Sequence, residues 1–210
     1  MIRILIADDH AIFRRGLKDI LQEELPRTTF GEADDARTTL ERVRQKCWDI
    51  VVLDVSMPGR SGVEVLQEIK HTQPKVPVLI LSTYPEEQYA TRMLKAGAAG
   101  YITKVNAPKE VVHAVQRILA GGKYVSPSLA EKLATELQMG AEGAPHERLS
   151  HREYEIMSLI AAGKTVKEIA SELSLSVATV STHRARMLKK MGLRTNAQVM
   201  RYAMQNRLVQ

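Results

Sequence analysis

The sequence predicts an α/β protein: a doubly wound, five-stranded parallel sheet with a second, smaller all-α domain behind it. Two observations carry this. Over the first ~120 residues short apolar runs alternate with amphipathic stretches of helical period, and the remaining chain is helical and strongly basic.

Ile2–Ala7, Ile50–Leu53 and Val78–Leu81 are apolar on consecutive positions, as strands covered on both faces must be. Thr28–Glu32 and Gly100–Thr103 are shorter strand candidates. Helices are predicted between and after them at Ala11–Leu25, Arg37–Lys46, Gly62–His71, Glu86–Ala96 and Pro108–Ala120. Pro108 suits a first turn, and Gly97 and Gly121 follow last turns, where a left-handed residue is wanted. These units imply parallel strands joined by crossovers, with ligands bound beyond the strands' carboxyl ends.

The predicted boundaries are 1–122 for the α/β domain, 123–147 for a connector and 148–210 for the helical domain. Within the connector Ser126–Gln138 reads as a helix, and Gly140-Ala141-Glu142-Gly143-Ala144-Pro145 as flexible chain. In the tail, Ser150-x-x-Glu153 and Thr165-x-x-Glu168 fit the capping box and mark two helix starts. A third helix is expected from Val177 to about Met191, ended by Gly192, and a fourth after Asn196. Two helices joined by the short turn Ser174-Leu175-Ser176 form a helix-turn-helix pattern.

At 44% hydrophobic and 26% charged residues, wholesale disorder is excluded. No apolar stretch approaches the ~18 residues of a membrane span, and Asp8-Asp9 interrupt the N-terminal apolar run too early for a secretory signal. The cytoplasm is the expected location. Cys47 is the single cysteine, which excludes an internal disulfide or a multi-cysteine zinc site; beside Trp48 it reads as a small core residue.

The formal charge is +6, and residues 145–210 alone hold 11 Lys/Arg against five Glu. Arg184, Arg186, Lys189, Lys190 and Arg194 fall within eleven residues without an acid. A solvated helix face usually mixes both signs, so this run favours a polyanion, nucleic acid foremost.

In the first domain Asp8 and Asp9 end the first strand and Asp54 the third, which are neighbours in a doubly wound sheet. One acid at a strand end is an ordinary helix N-cap. Three on adjacent edges repel unless a cation sits among them, and Mg²⁺ suits such a set. Ser82 and Lys104 end two later strands, adding a hydroxyl and an ammonium suited to phosphoryl oxygens. Acids, metal, hydroxyl and ammonium together make a site for phosphoryl transfer, with Asp54 as the carboxylate nucleophile.

These residues, with Met57-Pro58-Gly59 and Tyr101-x-x-Lys104, resemble the receiver domain of bacterial two-component response regulators, a flavodoxin-like fold. The resemblance implies that a histidine kinase donates a phosphoryl group to Asp54. It also implies that Asp9, Asp54 and the Ser56 carbonyl hold Mg²⁺ with help from Asp8, and that Ser82 and Tyr101 form a switch pair. Tyr101 reads equally as a core aromatic. Ser82 stands where Thr is more frequent, Thr83 and Tyr84 are bulkier than usual, and Val105 replaces a common acid or Pro. No catalysis is expected beyond Mg²⁺-dependent self-phosphorylation and dephosphorylation.

Leu149-Ser150-x-Arg152-Glu153, Ala162-Gly163-Lys164, Lys167-Glu168-Ile169-Ala170 and Thr179-Val180-x-x-His183 resemble the LuxR-type tail of the NarL/FixJ subfamily. In the third tail helix Val177, Val180, Met187, Leu188 and Met191 fall on a core side. Ala178, Ser181, Thr182, Ala185 and Lys189 form an outward face that is small, hydroxylated and basic, fitting a major groove. Ser181 and Ala185 replace basic or polar residues common in the family, so binding is expected to lean on phosphate contacts from Thr179, Lys167, Arg186 and Lys189. Base discrimination is then left to Ser181, Thr182 or apolar contact. His183 reads as structural.

Together these features point to a phosphorylation-controlled transcription factor, dimeric on paired DNA half-sites. A constitutive DNA-binding module with an idle acidic pocket is the second reading. A phosphohydrolase is the third, for which the residues after Asp54 supply no second acid or base.

Overall fold

The computed structural model describes residues 1–57, 60–139, 144–206 and 208, and the chain divides into two units, Met1–Met139 and Gly140–Gln210. Pro58-Gly59 of the Met57 motif and Gly140-Ala141-Glu142-Gly143 of the connector lie outside the described residues.

In the first unit β1 (Ile2–Ala7), β2 (Thr28–Ala33), β3 (Ile50–Asp54), β4 (Val78–Ser82) and β5 (Gly100–Thr103) form one parallel sheet in the order β2-β1-β3-β4-β5. Helices α1 (Ala11–Glu24), α2 (Ala36–Gln45), α3 (Gly62–Thr72), α4 (Glu86–Lys95) and α5 (Ala107–Leu119) connect the strands and follow the last. The continuous apolar runs are explained by burial: Ile4, Leu5 and Ile6, and Ile50 to Leu53, have no exposed surface. Their even-numbered face (Ile4, Ile6, Ile50, Val52) packs with Leu17 and Leu21 of α1 and Val111, Val115 and Ile118 of α5. Strand order reverses between β1 and β3, and at their carboxyl ends the connections diverge to open a crevice.

Trp48 is buried and Cys47 exposed, which corrects the expectation of a core cysteine. After α2 ends the chain is extended, so neighbouring side chains alternate. Trp48 turns in, its Nε1 donating to the Arg42 carbonyl at 2.9 Å, and Cys47 turns out.

Residues 123–139 belong to the first unit and pack against its β5 and α4. Tyr124 forms a one-residue parallel bridge with Gly100, its N–H donating to the Ala99 carbonyl at 2.9 Å and its hydroxyl to Glu110 Oε2 at 3.1 Å. Ser126 Oγ donates to Glu86 Oε2 at 2.6 Å and accepts from the Leu129 N–H, starting α6 (Pro127–Met139) against α4. A single bridging residue has no periodicity, so nothing in the local sequence announces it.

The second unit opens with a 3-10 turn at Pro145–Arg148, where flexible chain was expected to reach Pro145. It continues through α7 (His151–Ala161), α8 (Val166–Glu172), α9 (Val177–Met191) and α10 (Asn196–Gln205). The turn packs against α9, and His146 Nδ1 lies 2.8 Å from the Tyr202 hydroxyl. Both predicted capping boxes form, at Ser150/Glu153 and Thr165/Glu168, and Thr195/Gln198 makes another. Gly192 ends α9 in the left-handed region (φ 66°), which a side chain would disfavour. Val180, Met187, Leu188 and Met191 face the core with Tyr154, Ile160 and Val199. Val177 does not: it is 47% exposed, at the first residue of α9.

Gly62 and Gly16 offer a paired test of packing. A Cβ at Gly62 would lie 2.4 Å from the Val55 backbone, which cannot give way. Gly62→Ala is expected to lose about 1–3 kcal/mol in denaturant unfolding. At Gly16, inside α1, a Cβ meets nothing within 4 Å, so Gly16→Ala is expected to gain about 0.5–1 kcal/mol.

Candidate functional site

The parallel sheet places every carboxyl end on one edge, and four polar residues from three strand ends converge there. Asp54, the last residue of β3, has no exposed surface. Asp8 follows β1, next to β3, and is equally buried. Lys104 follows β5, and its Nζ lies 2.7 Å from Asp54 Oδ2 and 2.7 Å from Asp8 Oδ2. The same ammonium sits 4.9 Å from the centroid of the Phe13 ring, whose face favours a cation. Ser56 is exposed, and its N–H donates to Asp54 Oδ1 at 3.0 Å.

Burial pushes the Asp54 carboxyl above its ordinary range, although Lys104 and the Ser56 N–H pull the other way. Burial would lower the Lys104 ammonium, but its ion pairs with Asp54 and Asp8 outweigh it and the net shift is upward. Lys104 therefore stays cationic, while one ammonium shared between two acids is too little to hold Asp54 down.

Asp9 lies beside this pair, and ligand atoms of Asp8, Asp9, His10 and Asp54 fall within 4.8 Å of one another. Asp8 Oδ2 and Asp9 Oδ1 are buried oxygens that accept no hydrogen bond of good geometry, although Lys104 Nζ and His10 Nδ1 stand at 2.7 and 2.8 Å. Clustered carboxylates with unused lone pairs fit a divalent cation.

The two switch candidates are both tied to Tyr84. Ser82, at the end of β4, is buried and its Oγ accepts from the Tyr84 N–H at 3.0 Å. Tyr101 is 1% exposed, its hydroxyl donating to the Tyr84 carbonyl at 2.9 Å. Tyr84 in turn stacks on Tyr89 of α4 with ring centroids 4.4 Å apart. Sequence reasoning passed over His10 and Arg14, whose Nη1 donates to the Asp8 carbonyl at 2.6 Å. The adjacency of His10 to Asp8-Asp9 was the available signal for the first.

In the second unit Ala178, Ser181, Thr182, Ala185, Arg186 and Lys189 are exposed along α9, as is Lys167 on α8, while Thr179 and His183 are half-buried. Thr182 Oγ1 donates to the Ala178 carbonyl at 2.9 Å, and Thr179 Oγ1 lies 2.8 Å from Ser176 Oγ at the helix cap. Part of the basic run is engaged within the unit. Arg184 donates to Asn196 Oδ1 at 2.7 Å and Lys190 to Glu153 Oε2 at 2.6 Å, so these two tie α9 to its neighbours. Arg186 and Lys189 remain outward.

A doubly wound domain with acids and a lysine at its switch point, followed by a helix-turn-helix, defines a class of signalling protein. The response regulator receiver domain family matches residues 4–116, and the luxR family of bacterial regulatory proteins matches residues 147–203. The chain belongs to the response regulators with a LuxR-type DNA-binding domain, a family of transcription regulators rather than classical enzymes. It is 33% identical over 210 residues to Response regulator GacA of Pseudomonas aeruginosa, covering 100% of this chain and 98% of that protein. It is 32% identical over 209 residues to Response regulator UvrY of Escherichia coli, covering 99% and 96%. Among solved structures it is similar to RcsB from Salmonella enterica serovar Typhimurium bound to promoter rprA in the presence of phosphomimetic BeF3-, at 25% identity and a TM-score of 0.66, covering 96% of this chain and 98% of that one. No helix among the described residues is long and apolar enough to cross a membrane.

Glu153 supplies a pH test. Burial would raise its carboxyl, but Lys190 and the Ser150 N–H hold it below the ordinary range. The stabilisation is therefore present above the unfolded carboxyl's value and is lost as pH falls through the folded one. Thermal melts at pH 7 and pH 4 should show a larger loss for the wild type than for Glu153→Gln, which begins lower at pH 7.

Proposed function

We propose that Asp54 is the phosphoacceptor and that Asp8, Asp9, Asp54 and the Ser56 carbonyl form the Mg²⁺ site. The domains are assigned as a receiver over 1–122, a connector over 123–147 and a DNA-binding domain over 148–210. The observation that carries the reading is Lys104 Nζ at 2.7 Å from both Asp54 and Asp8, with Asp9 alongside. A bound Mg²⁺ would neutralise the acids and polarise the incoming phosphoryl group.

An Asp54 carboxylate oxygen forms the new bond to phosphorus as the phosphorus–nitrogen bond of the kinase's phosphohistidine breaks, and the imidazole leaves. Lys104 exchanges its carboxylate contact for a phosphoryl oxygen. Ser82 then gives its hydroxyl to another such oxygen and releases the Tyr84 N–H, while Tyr101 stays in its inward position. The same pocket loses the group by self-dephosphorylation, and Mg²⁺-dependent self-phosphorylation and this step are the only catalysis assigned to the chain. The location that suits these partners is the cytoplasm.

In the tail α9 enters the major groove. Lys167, Thr179, Arg186 and Lys189 bind phosphates, and Ser181, Thr182 and Ala185 face the base edges. The similarity to RcsB bound to promoter DNA supports DNA as the partner of the tail, and another RcsB structure contains two dimers bound to two parallel DNAs. Phosphorylation is proposed to favour a homodimer on paired half-sites.

Incubation with Mg²⁺ and a small phosphodonor is expected to add one phosphoryl group, detected by intact-protein mass, and Asp54→Ala to abolish it. A group that survives in Asp54→Ala defeats the assignment. For DNA, the log–log salt dependence of affinity is expected to be steep, and Lys189→Ala to reduce its slope by about 1 while weakening all sequences alike.

A further inference from the structure

We infer that His10 is a nitrogen ligand of the divalent-cation site and shifts its metal preference from Mg²⁺ toward nitrogen-binding ions such as Ni²⁺. The inference rests on the reading of the acid cluster as a cation site. His10 Nδ1 lies 2.8 Å from Asp9 Oδ1 and 3.3 Å from Asp8 Oδ1. Adjacent ligands of an octahedral ion at metal–ligand distances of ~2.0–2.1 Å are themselves ~3.0 Å apart, so the ring nitrogen stands at cis-ligand spacing from two acids.

The backbone fixes this placement. His10 is the N-cap of α1 and its N–H donates to Asp8 Oδ1 at 2.8 Å, while Arg14 holds the Asp8 carbonyl at 2.6 Å. The imidazole is 66% exposed, yet Nδ1 is turned to the carboxylates. On the far side of Asp8 stands Lys104, which no metal can use, so the His10 side is the open approach to the cluster.

The donor chemistry follows. Three carboxylates alone make a hard oxygen site suited to Mg²⁺, whereas one added imidazole favours later divalent ions in the order Mn²⁺ < Co²⁺ < Ni²⁺. Mg²⁺ gains little from a nitrogen donor, and a water can replace it there. An ion pair between His10 and Asp9, with no role in metal binding, is the competing account, and it predicts no dependence of metal preference on the ring.

The test measures Mg²⁺ and Ni²⁺ affinities of the full chain by calorimetry and chelator competition, for wild type, His10→Ala, His10→Gln and Asp9→Asn. His10→Ala is expected to lower Ni²⁺ affinity about tenfold or more, with Mg²⁺ affinity changed by less than about twofold. Pulsed electron paramagnetic resonance of the Mn²⁺-loaded chain should show nitrogen coupling in the wild type that is lost in both His10 variants. An unchanged Ni²⁺/Mg²⁺ ratio, or no nitrogen coupling in the wild type, overturns the inference while leaving the Mg²⁺ site standing. If Asp9→Asn leaves both affinities intact, the cation does not sit at the acids and the proposed site fails as well.

Discussion

One ammonium shared by two buried carboxylates is the constraint on which the first unit depends. Asp54 and Asp8 have no exposed surface, and Lys104 Nζ lies 2.7 Å from each. Removing one partner of such a set leaves an uncompensated charge and costs far more than a surface pair. The arrangement is only possible because β1, β3 and β5 run parallel and end on the same edge, while Ile4–Ile6, Ile50–Leu53 and Leu79–Ile80 form a fully buried frame beneath. That frame cannot relax to separate the acids, so repulsion is held in place. A cation or a phosphoryl–metal unit entering there meets charges already in position, which is what phosphoryl transfer requires.

The second unit solves a different problem, since short helices must be held together with a small core. α8 has seven residues and would not persist alone. Its start is fixed by the Thr165/Glu168 box, and α7, which it packs against, is fixed by Ser150/Glu153. Glu153 does two jobs, accepting the Ser150 N–H at 2.7 Å and the Lys190 ammonium at 2.6 Å, and so links the start of α7 to the end of α9. Arg184 is bonded to Asn196, and Lys190, although exposed, is paired with Glu153. The outward face of α9 presents Arg186 and Lys189 beside these.

The sheet was legible because strands buried on both faces write their burial as unbroken apolar runs, and β1, β3 and β4 do so. The convergence of Asp8, Asp9, Asp54 and Lys104 was legible because parallel topology converts strand ends into neighbours. Three features were hidden for physical reasons. Cys47 and Trp48 are adjacent apolar residues in extended chain, and only packing decides which turns in. Val177 carries the right period for the core but is the first residue of its helix and is left exposed. Tyr124 joins β5 by one bridge, and its sequence partner is 24 residues away. The engagement of Arg184 and Lys190 is likewise tertiary, since Asn196 and Glu153 lie on other helices.

Tyr84 gives the two switch candidates a common support. Its N–H is held by Ser82 Oγ and its carbonyl by the Tyr101 hydroxyl, so one residue's backbone joins the end of β4 to the interior of β5. Its ring stacks on Tyr89, and α4 also carries Glu86, which holds Ser126 at the start of α6. A hydroxyl that leaves the Tyr84 amide must be replaced as an acceptor or the loop must move, because an unmade backbone hydrogen bond is costly wherever water is scarce. Ser82 and Tyr101 therefore do not have independent positions. Each constrains the same residue, and through it the contacts extend along α4 to the first turn of α6. Contiguity of this kind supplies a route, and coupling along it requires an element with two discrete arrangements.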